Sequence, residues 1–417
     1  MSWQGRFQHV ALRAQRRILR ALKIGLVEPR ALKEVNLHTA AARPAFQRGQ
    51  FHTAMKHIEA AGTLTLEIRH GKSFNAMPVT LLGSEVLNAF GHLAIGPTLR
   101  VKAAELGLTT GLPVMLCTPE AANAALMSYW GQYLPSMALR VGAAAAIERT
   151  LWPIVDSVQW MEIGGQCRHL YSVWAQVEQE WEAAAREPVL SVSDDHREQG
   201  RALLRSRGIR DDDWFVSLHV RAIRGGDNYG RNARESTYLE AVRRIHDAGG
   251  RVVQLGHEDL TAPPLPGVVS LALERVDRPW TDLFLLGTAR FHIGTQSGPT
   301  HAANAFGTPV LWTNVTGWGF LPYIGATVAV PKTVTAHGKA LSLADLAHSG
   351  LAFNDGYLPV DDRRLAWLDN TPEQVVHGVD LMLQGRWAGR PDAASDLDLL
   401  HQELVGYPGI TLLESLD

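Results

Sequence analysis

The chain has 417 residues, 46% hydrophobic and 20% charged, which is too apolar for wholesale disorder and long enough, at roughly 100–200 residues per domain, for two domains. Lys and Arg total 40 against 42 Asp and Glu, a formal net charge of -2, so a generally basic nucleic-acid-binding coat is excluded. The only cysteines, Cys117 and Cys167, allow one bridge at most and exclude a disulfide framework or a cysteine-rich zinc site, a usage that fits a reducing compartment.

No run reaches the roughly 18 consecutive apolar residues of a spanning helix. The opening also lacks the compact apolar core and cleavage site of a secretory signal. Between Arg6 and Lys33 eight Lys and Arg residues face one acid, Glu28, and alternate with apolar residues such as Val10, Ile18, Leu22 and Ile24. A helix there is amphipathic and basic. Two readings stay open: packing on the protein with a solvated basic face, or lying on an anionic membrane surface.

Residues 45–61 carry a helical pattern. Residues 64–69 alternate like a strand, and 79–82 read as a second strand. Residues 88–95 form a connection containing Gly91 and His92, followed by a helix over 98–106. A buried strand over 112–117 precedes a helix over 119–130 that opens on Pro-Glu. A charged helix over 174–187 ends at Pro188. Further on, strands are expected at 214–220, 251–256, 268–271, 291–294, 309–312 and 326–330. Helices are expected at 195–208, 238–248, 281–287, 299–306 and 371–384. Strands spaced by helices argue for α/β domains with parallel sheets covered on both faces. The divisions are a helical extension (1–60), two α/β domains (61–190 and 191–385, parting near 187–193) and a tail (386–417) that packs back on the first domain.

In such sheets ligands bind outside the carboxyl ends of the strands, so residues just after strands carry the chemistry. The strongest pattern is Gly294-Thr295-Gln296-Ser297-Gly298-Pro299-Thr300-His301. A strand ends, small residues turn, and a helix begins with free amides and the positive end of its dipole, a phosphate-binding arrangement. Gly298 admits close approach, Thr295 and Ser297 add hydroxyls, and His301 lies in the first turn. An ordinary helix cap is the plain alternative. The second pattern is His219-Val220-Arg221, followed by a Gly-rich loop with Asp227 and then Arg231-Asn232. Period two turns Leu218 and Val220 to one face and His219 and Arg221 to the other. Arg221 suits a bidentate hold on a diphosphate, Arg231 adds a cation, and His219 or Asp227 is a candidate base; a charged surface loop over a buried His219 that only shapes the site is the plain alternative. The third is Gly256-His257-Glu258 at another strand end, which fits equally a solvated turn or a ligand site in which an amide meets a base and an acid takes ribose hydroxyls. In the first half His92 is the residue to watch. No GxxxxGK[ST], HExxH, GxSxG or early GxGxxG unit is present, against the corresponding ATPase, metalloprotease, hydrolase and dehydrogenase readings. The acids show no metal spacing.

Residues 294–309 resemble the donor-site segment of two-domain bacterial glycosyltransferases of the GT-B fold, notably lipopolysaccharide heptosyltransferases. Ser297, Gly298, His301, Ala303, Gly307 and Pro309 match that pattern, while Gln296 stands where the family has an acid. His219-Val220-Arg221 with its Gly-rich loop also resembles the nucleotide-diphosphate arginine motif of fucosyltransferase-like enzymes. The resemblance implies two Rossmann-like domains facing a cleft, residues 61–190 on the acceptor side and 191–385 on the nucleotide-sugar side. It implies a metal-independent Leloir-type transferase of surface polysaccharide or specialised glycoside assembly, cytoplasmic or peripheral on the inner membrane face. A nucleoside-diphosphate sugar is then the donor substrate, with no further cofactor. The acceptor is a glycan, a lipid-linked group or a small molecule. His92, Asp227 and His219 are the catalytic candidates. Arg221, Arg231, Asn232, Gly256, His257, Glu258, Thr295, Gln296, Ser297, Gly298 and His301 are the donor-binding candidates. The competing readings are a nucleotide-sugar epimerase on this fold, a non-catalytic nucleotide or glycan binder, and a scaffold using the basic N-terminus.

Overall fold

A computed structural model describes residues 29–47, 51–71, 79–109, 111–222, 229–255, 265–271, 278–317, 327–342, 345–346, 351, 365–385 and 411–412. The chain forms two compact units, Met1–Ala45 with His52–Val173, and Phe46–Phe51 with Trp174–Asp417. Among the described residues no helix is long and apolar enough to cross a membrane. Most of the basic 6–33 segment lies outside the described residues.

The first unit begins with α1 (Pro29–Gln47) and α2 (Phe51–His70). Residues 64–69, expected as a strand, are the last turns of α2. Their alternation is outweighed by a helical one: Ile58, Ala61, Thr65 and Arg69 are buried, a spacing of three to four that puts them on one face. β1 (Leu81–Leu82), α3 (Ser84–Leu87), α4 (Phe90–Glu105), β2 (Val114–Cys117), α5 (Ala124–Trp130), β3 (Ser136–Ala138), α6 (Val141–Thr150) and β4 (Val155–Asp156) follow. The hairpin β5 (Trp160–Ile163) and β6 (Gln166–His169) turns through Gly164 and Gly165, both at positive φ. The four parallel strands are ordered β3-β2-β1-β4.

His92 therefore lies on a helix and not in the expected connection, and Pro97 sits inside α4 instead of near its start. A mid-helix proline strips a donor from the carbonyl four residues back. Here that carbonyl is Leu93 O, and the buried Trp130 indole Nε1 donates to it at 2.9 Å. The tolerance comes from α5, which local sequence does not reveal. α5 itself starts later than expected, behind Asn123, whose side-chain oxygen accepts the Leu126 amide at 2.8 Å as an N-cap.

In the second unit α7 (Leu170–Ala183, from Trp174 on), α8 (Asp194–Ser206), β7 (Phe215–His219), α9 (Leu239–Asp247), β8 (Arg251–Gln254), β9 (Val268–Ser270), α10 (Trp280–Thr288), β10 (His292–Gly294), α11 (Gly298–Ala305), β11 (Val310–Val315) and β12 (Thr327–Pro331) alternate. A small antiparallel sheet of β13 (Thr333–Ala336), β14 (Lys339–Ala340) and β15 (Leu365–Leu368) precedes α12 (Pro372–Leu383). Thr371 and Gln374 close a capping box at its start. The described part of the tail, β16 (Thr411–Leu412), pairs with β12 within this unit.

The main sheet is parallel throughout, ordered β9-β8-β7-β10-β11-β12-β16. Numbered from β7 to β12 in chain order, six strands run 3-2-1-4-5-6, the doubly wound order. Val216, Leu218 and Val220 share an apolar cluster with Tyr238, Val242 and Ile245 around α9 and with Val375 and Val379 of α12. On the opposite face α11 covers β10 and β11, with His301 edge-on to Trp312 at 5.1 Å. Behind it α8 and α10 pack closely: a Cβ on Gly200 would sit 2.3 Å from the Phe284 ring, so no larger residue fits unshifted. Each unit is thus an α/β fold on a parallel sheet, the class expected from the sequence.

Candidate functional site

Strand order reverses between β7 and β10, and ligands of doubly wound sheets bind outside the carboxyl ends at this switch point. Two strand ends expected to carry chemistry meet there. The Thr295 amide donates to His219 O at 3.2 Å, and the Arg221 amide donates to Thr295 Oγ1 at 3.0 Å. The Arg221 main chain therefore lies against the loop that opens α11. The Ala233 amide donates to Arg221 O at 2.9 Å, bringing in the stretch that carries Arg231 and Asn232.

The loop is held by a polar seam under α11. His219 is 6% exposed, and its Nδ1 lies 2.9 Å from Ser297 Oγ. Thr295 O accepts from Thr300 Oγ1 at 2.8 Å and from Ser297 Oγ at 3.2 Å. One step down β7 and β10, Ser217 Oγ and His292 Nδ1 are 2.9 Å apart. Burial, with a smaller contribution from His219, pushes His292 down to about 3, so this imidazole is neutral near pH 7. Gly294 leaves room for the seam: a Cβ there would meet Thr300 Oγ1 at 2.3 Å. Gln296 braces the loop from the other side. Its Oε1 accepts from the Thr316 amide, the Thr316 hydroxyl and the Gly317 amide at 3.3, 3.1 and 3.3 Å.

Thr295, Gln296 and Ser297 are buried and bonded within the scaffold. Ser297 is the N-cap residue of α11 yet makes no side-chain cap bond. The first-turn amides thus lack that cap, Pro299 has no N–H, and half-buried Gly298 leads the helix. His301 is flanked by Trp312 and, at 5.7 Å, by Trp174. Asp227, Gly256, His257 and Glu258 lie outside the described residues.

The first unit repeats the pattern. Its order also reverses between β1 and β4. Beyond the carboxyl end of β1, Glu85 Oε2 accepts the Val158 amide at 3.5 Å, spanning the two strand ends. His92 Nδ1 lies 3.0 Å from Glu85 O. A carbonyl only accepts, so Nδ1 carries a proton, and in the neutral tautomer the lone pair of this exposed ring is on Nε2. Glu85 is exposed as a residue, but desolvation around its carboxylate pushes it above the ordinary range, against the lowering pull of the Val158 amide, His92 and Arg100.

No family model matches the chain. No curated relative matches it in sequence. Among solved structures it is similar to the E. coli ADP-heptose lipopolysaccharide heptosyltransferase II, at 13% identity and a TM-score of 0.44 over 74% of this chain and 100% of that one. It is similar to a glycosyl transferase family 9 protein of Veillonella parvula at 11% identity and a TM-score of 0.34, covering 73% of this chain and 81% of that one. A third is the glycosyltransferase SnogD of Streptomyces nogalater, at 15% identity and a TM-score of 0.21 over 71% and 75% of the two chains.

Sequence reasoning passed over Glu85, although Leu81-Leu82-Gly83-Ser84-Glu85 places an acid directly behind a strand and a glycine. It also passed over Lys332 and Asp369, whose pairing at 2.6 Å joins distant parts of the chain and leaves no local signal.

Proposed function

We propose that this protein is a glycosyltransferase that moves a sugar from a nucleoside-diphosphate sugar to an acceptor hydroxyl. The observation that carries the reading is the placing of Arg221 against the uncapped start of α11, at the switch point of a doubly wound sheet. The diphosphate binds at the Gly298 end of α11, with the guanidinium groups of Arg221 and Arg231 as its counter-charges. As the bond from the sugar's anomeric carbon to the phosphate oxygen breaks, negative charge grows on the leaving diphosphate. Cations and a helix terminus stabilise that charge more in the transition state than in the ground state, without calling on a metal ion. The acceptor oxygen bonds to the anomeric carbon, and its proton passes to a base.

His92 is our candidate for that base. With Nδ1 donating to Glu85 O, its Nε2 is left as the basic atom of the neutral ring, and it sits at the carboxyl edge of the first sheet. His219, buried against Ser297, orients the loop instead. The finer readings, an acceptor in surface polysaccharide or specialised glycoside assembly and a cytoplasmic or inner-membrane-surface site of action, belong to the same proposal.

The test is a thermal-shift screen with nucleoside diphosphates and their sugars, since a ligand of the folded state raises its stability. Calorimetry with the best ligand follows. Arg221→Ala is expected to weaken binding at least about tenfold, the loss of one charge-assisted contact, while leaving the fold intact. Equal affinity in wild type and variant would refute the assignment. An epimerase would convert the donor with no acceptor present, and a binder would show no turnover with any acceptor.

A further inference from the structure

Lys332 and Asp369 form an ion pair whose two ends grip one short stretch of chain. Their side chains are 3% and 14% exposed. Lys332 Nζ donates to Asp369 Oδ1 at 2.6 Å and to Asn232 O at 2.7 Å. The other carboxylate oxygen accepts the Arg234 amide at 3.0 Å and Arg234 Nε at 3.3 Å. Between these contacts the Ala233 amide is bonded to Arg221 O. Backbone groups at residues 232, 233 and 234 are thus fixed in turn by Lys332, Arg221 and Asp369.

The clamp is itself anchored. The Lys332 amide donates to Val315 O at 2.9 Å, just beyond the end of β12. Next to Asp369, the Asn370 amide donates to Asn314 Oδ1 at 2.8 Å, and Asn370 Oδ1 accepts the Asn314 amide at 2.5 Å. The stretch it grips begins at Asn232, directly after Arg231 and the Gly-rich loop.

Burial pushes the Lys332 ammonium down, only partly offset by Asp369. Burial alone would raise Asp369, but Lys332 and Arg234 outweigh it and hold the carboxyl below its ordinary range. Desolvation cancels much of the attraction in such a pair, so it is a weak source of net stability. Its best-attested use is to select one geometry.

We propose that Lys332 and Asp369 are positioning residues that set Arg231 and Asn232 against Arg221 at the switch point, themselves touching no substrate. The proposal rests on the reading of that point as the diphosphate site.

The test compares Lys332→Met and Asp369→Asn with wild type by two readouts. In the free protein, amide hydrogen exchange at Ala233 and Arg234 should speed up at least about tenfold, while amides of β7 and β10 keep their protection. Affinity for the nucleoside diphosphate found by the thermal-shift screen should fall about tenfold. Lys332→Arg, which keeps a cation able to reach Asp369, should recover part of both. Asp369→Asn keeps volume and the Lys332–Asn232 bond, so it serves if Lys332→Met fails to fold. Unchanged exchange at Ala233 and Arg234 overturns the clamp. Faster exchange with unchanged affinity overturns the positioning role and leaves the diphosphate reading standing. A wild-type protein that binds no nucleoside diphosphate overturns that reading, and the exchange data then mark the pair as structural only.

Discussion

Thr295→Val removes one oxygen at the joint between the two halves of the site and nearly preserves side-chain shape. Thr295 is fully buried, and its Oγ1 accepts the Arg221 amide at 3.0 Å. Valine offers no acceptor, so that N–H loses its partner. A buried donor left unsatisfied costs about 1–3 kcal/mol. Arg221 is only half-buried, so water makes good part of the loss and about 1–2 kcal/mol is expected. At roughly 2–4 °C per kcal/mol for a domain of this size, the melting temperature falls by about 2–8 °C. The same bond sets Arg221 against the α11 opening, so nucleoside-diphosphate affinity falls with it, by about tenfold for each 1.4 kcal/mol of lost contact. Thr295→Ser retains the hydroxyl and should restore both quantities. Differential scanning calorimetry and titration calorimetry read them directly. Undiminished affinity in Thr295→Val, or a Thr295→Ser protein that behaves like the valine variant, would mean that this hydrogen bond does not hold Arg221 in place.

Two predictions concern stability. His292 is held at about 3 by burial, against an ordinary 6.5. The unfolded chain therefore takes up this proton first, and the full contribution is present above about pH 6.5. It drains away as pH falls towards 3, with a limiting slope of about 1.4 kcal/mol per pH unit. Urea unfolding between about pH 7 and pH 4 should show that limb in wild type and a shallower one in His292→Asn, and equal slopes would contradict it. In the first unit Trp130→Phe strands the Leu93 carbonyl already vacated by Pro97 and should cost about 1–3 kcal/mol. Adding Pro97→Ala restores a helical donor to that carbonyl and should return part of the loss; a denaturant midpoint unmoved by Trp130→Phe would count against this role.

The doubly wound half was readable because its signals are local. Period two separated Leu218 and Val220 from His219, and the cluster around α9 and the Ser297 contact follow that division. The strand–turn–helix run over Gly294 to His301 was readable for the same reason. What stayed hidden depends on distant partners. Pro97 breaks a helix in isolation, and only the Trp130 indole lets α4 continue through it. The strand-like alternation of residues 64–69 yields to a helical face buried within its own unit. The hydroxyls of Thr295 and Ser297 looked like ligand donors, but are buried against His219, Thr300 and the Arg221 amide. The β5–β6 hairpin had a usable cue, a Gly-Gly pair between two alternating runs, that the sequence reading passed over.

In the proposed site one diphosphate meets Arg221 and the start of α11 together. The most direct measurement is a crystal structure of the protein with the nucleoside diphosphate that stabilises it most. Phosphate oxygens are expected within hydrogen-bond distance of both the Gly298 amide and the Arg221 guanidinium. A ligand seated elsewhere, or touching only one of the two, would contradict that site.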